Sequence, residues 1–242
     1  DNVFDFCVIK NANIGLQGGT MEYGGFASAK ISNTKIENMA YAGLFAIKSK
    51  ISAYNNLVAN CGFYAVALLV GGDYQFYHTT VANYWGSYST KARSTSSLVI
   101  SNVLIVPDSK GGSVTYSGDL ENAIFGNSII FGNNIQEVEL GNNGRNKFNF
   151  FFENCIIQAA DTFNISNKEH YLNVWKGAKY DPSFIDPYKD YIYELDTLSP
   201  AKDVGKIEIG ELYQYDLLNK DRTSDKGPDL GAYERIEKKN AK

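Results

Sequence analysis

The strongest constraint on the fold is an irregular repeat of 22 to 27 residues that runs through residues 1–160. Each copy is centred on an aliphatic residue, and a second apolar residue stands five positions before it in every copy. The seven centres are Ile9, Ile36, Val58, Val81, Ile105, Ile130 and Ile157. Because the period varies while the columns stay aligned, the copies are predicted to differ only in loop length.

Each copy contains short β-branched or aromatic runs that are broken by Asn and Gly. Such runs are too short to bury a core alone, but stacking them would join the apolar columns into continuous ladders. Asn stands three positions before the centre in five of the seven copies, where it suits a corner with left-handed backbone angles. Phe6 and His78 are the two exceptions, and His78 is predicted to replace Asn in the ladder rather than to act as a base.

Stacked Asn, aliphatic and aromatic columns resemble those of the right-handed parallel β-helices in the pectate-lyase-like superfamily. The resemblance implies an all-β fold, a single-stranded solenoid of about seven visible coils over residues 1–160. It implies much less about function, because one fold serves many activities. Phe4 to Asn11 already occupies the columns, so we expect the chain to be the C-terminal part of a longer protein.

The repeat fails after residue 160, and residues 161–242 are predicted to form a C-terminal cap, which the last coil of a solenoid needs. Three stretches punctuate this segment: residues 181–187 (DPSFIDP), 198–205 (LSPAKDVG) and 227–234 (GPDLGAYE). In this order they resemble the closing segment of bacterial secreted or surface-anchored β-helix proteins. That resemblance implies a location outside the cytoplasm of a bacterium and names no reaction.

Composition excludes several classes of function. The net charge is −4 and basic residues cluster only at residues 237–242, which argues against a nucleic-acid partner. No run approaches the roughly 18 apolar residues of a membrane span. The three cysteines do not form a disulfide framework: we interpret Cys7 and Cys155 as small buried thiols, and Cys61 lacks a partner. Residues 221–227 resemble a calcium loop but depart from its ligand pattern, so an ordinary turn is favoured and no cofactor is predicted.

The candidate ligand-binding site lies around residues 73–97, the coil richest in aromatic residues. Strand alternation places Tyr77 on the outer face, where it would stack with Tyr54 of the preceding coil. Exposed aromatic rings flanked by Lys, Arg and Asn are typical of sugar-binding surfaces. The alternative is that these rings only cover loops or fill the tube. The predicted site residues are Tyr54, Tyr77, Tyr84, Trp85, Tyr88, Lys91 and Arg93.

Two functions remain open, with a purely structural role as a third. The first is binding of a polysaccharide or a surface protein along the outer face, without catalysis. The second is a polysaccharide lyase or glycoside hydrolase acting on acidic or plant or host polysaccharide, in which Glu137, Glu139 and Glu153 would supply a carboxylate cluster. A groove that holds Lys or Arg within reach of carboxylates would favour the enzyme.

Overall fold

A computed structural model describes residues 2–21, 27–86 and 93–237. The chain is all-β, with 49% of its residues in strands and 4% in helices. Fifteen of the strands in the described residues form one large, mostly parallel sheet, which is consistent with a β-helix. None of the helices in these ranges is long and apolar enough to cross a membrane.

The strands of the N-terminal half are β1 (Asn2–Asp5), β2 (Val8–Lys10), β3 (Ile14–Gly18), β4 (Ser28–Ser32), β5 (Lys35–Met39), β6 (Ala42–Tyr54), β7 (Leu57–Cys61), β8 (Tyr64–Tyr77), β9 (Thr80–Asn83), β10 (Leu98–Ser101), β11 (Val103–Pro107) and β12 (Ser113–Ser117). Those that follow are β13 (Leu120–Gly126), β14 (Ile129–Gly132), β15 (Val138–Gly141), β16 (Phe151–Ile157), β17 (Tyr171–Lys176), β18 (Phe184–Asp186) and β19 (Ile192–Leu195). One 3-10 turn (Ala178–Tyr180) and one helix, α1 (Ile207–Leu212), complete the described elements.

The main path of the large sheet runs β1-β4-β6-β8-β13-β16-β14-β9-β7-β5-β2. Beside this path, β3 pairs with β6, β10 pairs with β8 and β15, and β17 pairs with β16. We call these fifteen strands the parallel stack. β17 extends the stack to Lys176, beyond the point at which the sequence repeat fails.

The strand register confirms both predicted apolar columns. Ile36 pairs with Ile9 and Val58, and the ladder continues through Val81 to Ile130 and Ile157. The column five positions earlier runs Phe4, Ile31, Ala53, Phe76, Phe125, Phe152. Both columns belong to one buried apolar cluster inside the stack, together with Leu44, Val66, Leu98 and Val138 from a third series of strands.

One predicted copy of the repeat is wrong. Val81 pairs directly with Ile130, while Ile105 lies in an antiparallel hairpin of β11 and β12 and is 63% exposed. Ile100 pairs with Leu68 and Leu140 instead of joining the predicted column. β11 is a short apolar run rich in β-branched residues, like the strands of the coils, so spacing alone does not separate them.

The corner column adopts the predicted left-handed backbone, with φ of 46° to 53° at Asn33, Asn55, Asn127 and Asn154. His78 shares it at 46°, and its Nε2 lies 3.2 Å from the side-chain amide of Asn127. Burial and the nearby charge of Arg222 lower the pKa of His78 well below its usual value. These contacts confirm that His78 replaces Asn in the ladder.

The C-terminal segment packs along the side of the stack. A second apolar cluster, which we call the flank cluster, joins outward residues of the stack, including Leu57, Ile129 and Ile156, to residues of the segment such as Phe184 and Leu230. The bond from the Ala232 N–H to Thr80 Oγ1, at 2.9 Å, also fixes this arrangement. The sequence predicts a cap over the last coil, whereas these contacts cover a flank, because the outward positions of the strands on that flank are apolar. All three punctuated stretches contribute to this cluster, through Phe184, Ala201, Leu230, Ala232 and Tyr233.

Candidate functional site

Tyr54 and Tyr77 lie in register on neighbouring strands, and both are half-buried on the outer face. Tyr213, which follows α1, stacks against both rings, with centroid distances of 4.6 Å to Tyr54 and 5.4 Å to Tyr77. The predicted outward placement of the two tyrosines is therefore confirmed. The surface they form is extended by a third ring that the repeat pattern does not reveal.

A groove of about 350 Å³ lies beside this stack of rings, between the first coils and residues 212–219. We call it the aromatic groove, and its lining residues are Phe6, Asn33, Tyr54, Asn55, Leu212, Tyr213, Gln214, Tyr215, Asp216 and Asn219. Phe6, Leu212 and Tyr215 are 74%, 76% and 50% exposed, so the groove presents apolar surface directly to solvent. Phe6 holds a left-handed φ of 51°, which is unusual for a bulky residue.

Polar groups of the aromatic groove fall into two sets. The amide of Asn55 is committed to the protein: it donates to the Tyr215 carbonyl at 2.6 Å and accepts from Arg222 at 3.2 Å. Gln214 and Asn219 are exposed at the rim. Gln214 donates to Asp221 at 3.1 Å, and no described residue pairs with the side-chain amide of Asn219. The wall is thus fixed by Asn55, while rim amides face solvent.

Tyr84 does not reach the surface. It lies in the flank cluster, with its ring 5.0 Å from that of Tyr188 and 6.3 Å from those of Phe184 and Tyr193. Burial raises the pKa of its hydroxyl above the usual value. For this residue the alternative interpretation holds, since it fills a core.

Trp85 lies at a different corner from Tyr54 and Tyr77. Its half-buried ring is next to Gly62, where an added Cβ would come within 3.5 Å of it. Phe63, the next residue, belongs to a surface group of aromatic rings whose centroids are 5.1 to 6.4 Å apart: Tyr41, Phe45, Phe63 and Tyr64. We call Trp85 and these four residues the Trp85 patch. It is separate from the aromatic groove.

Arg93 is fully buried rather than exposed in a binding loop. Its guanidinium lies 2.5 Å from Glu137 Oε1 and donates to the Asn83 carbonyl at 3.2 Å. Glu137 also accepts from the Ser97 N–H at 2.9 Å and from the Ser97 hydroxyl at 2.6 Å. This ion pair holds a turn against the stack. Tyr88 and Lys91 lie outside the described residues.

The carboxylate cluster suggested by the sequence does not form. Glu137 is bound to Arg93, and Glu139 lies in β15, which pairs only with β10. Glu153 lies in β16 and forms an ion pair of 2.7 Å with Lys206 of the C-terminal segment. Glu137 thus precedes β15, Glu139 lies on β15 and Glu153 lies on β16, and these two strands do not pair with each other.

Metal binding and thiol catalysis place requirements on the possible metal ligands and the three cysteines of the described residues. They contain no group of three or more His, Cys, Asp or Glu that is suited to a metal ion. Asp221 acts as a turn residue, since its Oδ1 accepts from the N–H and hydroxyl of Thr223 at 2.8 and 2.7 Å. All three cysteines are free, and burial raises the pKa of Cys61 and Cys155 to about 12, which leaves these two thiols protonated.

A second cleft, of about 250 Å³, lies between β2 and β5 on one side and the β19 region on the other. We call it the Lys35 cleft, and it is lined by Lys10, Lys35, Glu37, Asn38, Asp190, Tyr191, Ile192, Tyr193, Glu194 and Tyr233. Lys10 Nζ is 3.0 Å from Glu37 Oε2. A lysine within reach of a carboxylate in a groove is a feature that favours an enzyme.

The residues missed by sequence reasoning lie mainly at 212–215, Leu-Tyr-Gln-Tyr. This stretch has the same mixture of aromatic and amide residues as residues 73–88, and that mixture is the signal that would have identified it. Comparison with known proteins adds no assignment, because no protein-family model matches the chain and a search of curated proteins gives no match either.

Proposed function

We propose that this chain binds a glycan in the aromatic groove and does not catalyse a reaction on it. The observation that carries the proposal is the juxtaposition of exposed Leu212 and Tyr215 with the stacked rings of Tyr213 and Tyr54 in one open groove. Sugar rings present an apolar face that packs on such surfaces, and their hydroxyls bind amides of the kind that Gln214 and Asn219 offer at the rim.

The proposal extends to fold family and location. We place the parallel stack among the right-handed parallel β-helices of the pectate-lyase-like kind, and the protein on the outer surface of a bacterium or in its secretions. Support comes from the aligned Asn and apolar columns and from the three stretches at residues 181–187, 198–205 and 227–234. Protease treatment of intact cells that carry the protein tests the location, since an exposed protein is degraded and an internal one survives.

The binding test is a glycan array followed by titration of the best glycan into wild type and three variants. Tyr215→Ala removes an exposed ring of the aromatic groove, and we expect affinity to fall roughly tenfold or more. Trp85→Ala disrupts the Trp85 patch, and Leu198→Ala removes an exposed apolar residue outside both surfaces; both should bind as wild type does. Loss of binding only in Trp85→Ala would contradict the proposed location.

A polysaccharide lyase or glycoside hydrolase is the second candidate, favoured by Lys10 beside Glu37 in the Lys35 cleft. Incubation of the protein with acidic polysaccharides, with and without calcium, tests it directly. If the wild-type chain produces new unsaturated or reducing ends and Lys10→Met does not, the chain is an enzyme and the binding proposal is wrong. If the polysaccharide binds without new chain ends, the binding proposal is supported.

A further inference from the structure

Two buried polar atoms without hydrogen-bond partners line the Lys35 cleft. Tyr193 is 2% exposed, and its hydroxyl bonds to no described residue. Glu37 is 7% exposed, and its Oε2 makes an ion contact with Lys10 but no directed hydrogen bond. An unsatisfied buried polar group destabilises the folded state, so the Tyr193 hydroxyl in particular requires an explanation.

The strand register brings the charged side chains of the cleft onto one face. Lys10 pairs with Glu37, and Lys35 stands two residues before Glu37 on β5. Both lysines and Glu37 therefore project to the same side of the sheet, with the two lysines on a diagonal of about 8 Å between their Cα atoms. The opposite wall is formed by residues 190–194, and Tyr233 of the GPDLGAYE stretch also lines the cleft.

Among the charged residues that line the cleft, Lys35 and Asp190 form no ion pair with a described residue. Lys10 offsets Glu37, and Glu194 is paired with Lys220 at 3.3 Å. Lys35 has no carboxylate partner among the described residues; its Nζ lies 5.5 Å above the centre of the Tyr233 ring. Burial, and then the charge of Glu37, raise the pKa of both Tyr193 and Tyr233, so their hydroxyls remain protonated. The cleft offers the Lys35 ammonium and the Tyr193 phenol as donors, and the carboxylates of Glu37 and Asp190 as acceptors.

We propose that the Lys35 cleft binds a small molecule that carries an oxyanion group next to a hydroxyl or amine. The oxyanion accepts hydrogen bonds from Lys35 Nζ and the Tyr193 hydroxyl, and the hydroxyl or amine donates to Glu37 Oε2. Such a ligand neutralises the unpaired lysine and satisfies both buried atoms at once. The volume of about 250 Å³ suits a small molecule or the end group of a larger one.

The test is a titration of the full chain with five probes: acetate, L-lactate, glycine, inorganic phosphate and inorganic sulfate. Acetate and sulfate carry an oxyanion without a donor at neutral pH, whereas the other three carry both groups. We expect saturable binding of at least one of lactate, glycine and phosphate, tighter than that of acetate or sulfate. The probe that binds most tightly then distinguishes a carboxylate from a phosphate source.

Two variants and two controls make the test specific. Tyr193→Phe keeps the ring in the apolar flank cluster and removes only the hydroxyl, so it should melt no lower than wild type. It and Lys35→Met should each weaken binding roughly tenfold, the loss expected for a hydrogen bond in a charged pair. Lys30→Met, at an exposed lysine on β4, and Tyr215→Ala in the aromatic groove should bind as wild type does. The proposal would be overturned if none of the five probes binds saturably. It would also be overturned if Tyr193→Phe and Lys35→Met both bind the probes as tightly as wild type does.

Discussion

The buried charges, more than the exposed ones, hold the C-terminal segment to the stack. Arg222 is fully buried, 3.2 Å from Glu234 Oε2, and donates to Asn55 Oδ1 at 3.2 Å and to the Gly231 carbonyl at 3.1 Å. A single guanidinium thereby connects the GPDLGAYE stretch to the corner column of the stack. Removing this guanidinium leaves its buried acceptors without a donor, which costs about 1 to 3 kcal/mol for each unsatisfied group.

The pH dependence of stability should reveal the proton held by this cluster. Burial, and then the charge of Asp229, raise the pKa of Glu234 from 4.5 to about 8, against the opposing charge of Arg222. Between these values the folded chain binds a proton that the unfolded chain has released, so the free energy of unfolding falls as pH rises. The slope contributed by this group is at most about 1.4 kcal/mol per pH unit.

Urea unfolding across pH 4.5 to 8 measures this effect. Glu234→Gln keeps an acceptor for Arg222 and for the Asp229 N–H but cannot titrate, so its stability should fall less with pH than that of wild type. Glu208→Gln, at an exposed position on α1, is the matched control and should follow wild type. Identical pH profiles for Glu234→Gln and wild type would contradict the assignment.

Sequence reasoning at this scale succeeds where a residue's role is local. The left-handed corners at Asn33 and Asn127 follow from a property of Asn itself. It fails for Arg93 and Tyr84, because their burial depends on distant partners: Glu137 lies 44 residues after Arg93, and Tyr84 is enclosed by Phe184 and Tyr193. Nothing in the local spacing distinguishes a buried arginine from an exposed one.

At the scale of strands, the stack accepts an insertion without losing register. The ladder passes from Val81 on β9 to Ile130 on β14. The described chain between β9 and β13 forms β10 and the antiparallel hairpin of β11 and β12. Sequence spacing predicts the columns on both sides of the insertion because inward positions must be apolar in every coil. It misplaces Ile105 because strand alternation carries no information about which strand will pair with it.

Replacement of the hairpin tests this topology. Val103 and Ser117 are register partners, so residues 104–116 can be replaced by Asn-Gly, the preferred two-residue hairpin turn. The fold should persist, with a loss of about 1 to 3 kcal/mol for the contacts that Leu104 and Tyr116 make with a neighbouring apolar cluster. Circular dichroism measures whether the β-structure persists, and thermal unfolding measures the loss of stability. Deletion of β7, which lies within the ladder, should abolish cooperative unfolding; a hairpin replacement that behaves in the same way would disprove the topology.

For the molecule as a whole, the C-terminal segment and the stack share a core on the outer flank. Leu57, Ile129 and Ile156 face outward from the stack and are buried only because the segment packs on them. The sequence predicts a C-terminal segment of distinct character from its punctuation, but not its position. An end cap and a flank cover require the same turn residues, and only the apolar outward positions of the stack distinguish them.

Truncation of the C-terminal segment tests whether the segment covers the flank of the stack. A chain ending at residue 177 keeps every strand of the stack but uncovers this flank as one contiguous apolar surface. Apolar patches of this kind drive association, so we expect the truncated chain to aggregate and to bind a hydrophobic dye, while the full chain does neither. Light scattering after size-exclusion chromatography measures the difference. The matched control is the same truncated chain with Leu57→Gln, Ile129→Thr and Ile156→Thr, which makes the flank polar and should restore solubility. If the unmodified truncated chain is monomeric and has the same melting temperature as the full chain, the segment does not protect the flank. If only the polar variant of the truncated chain is monomeric, covering the flank is the segment's main contribution to the fold.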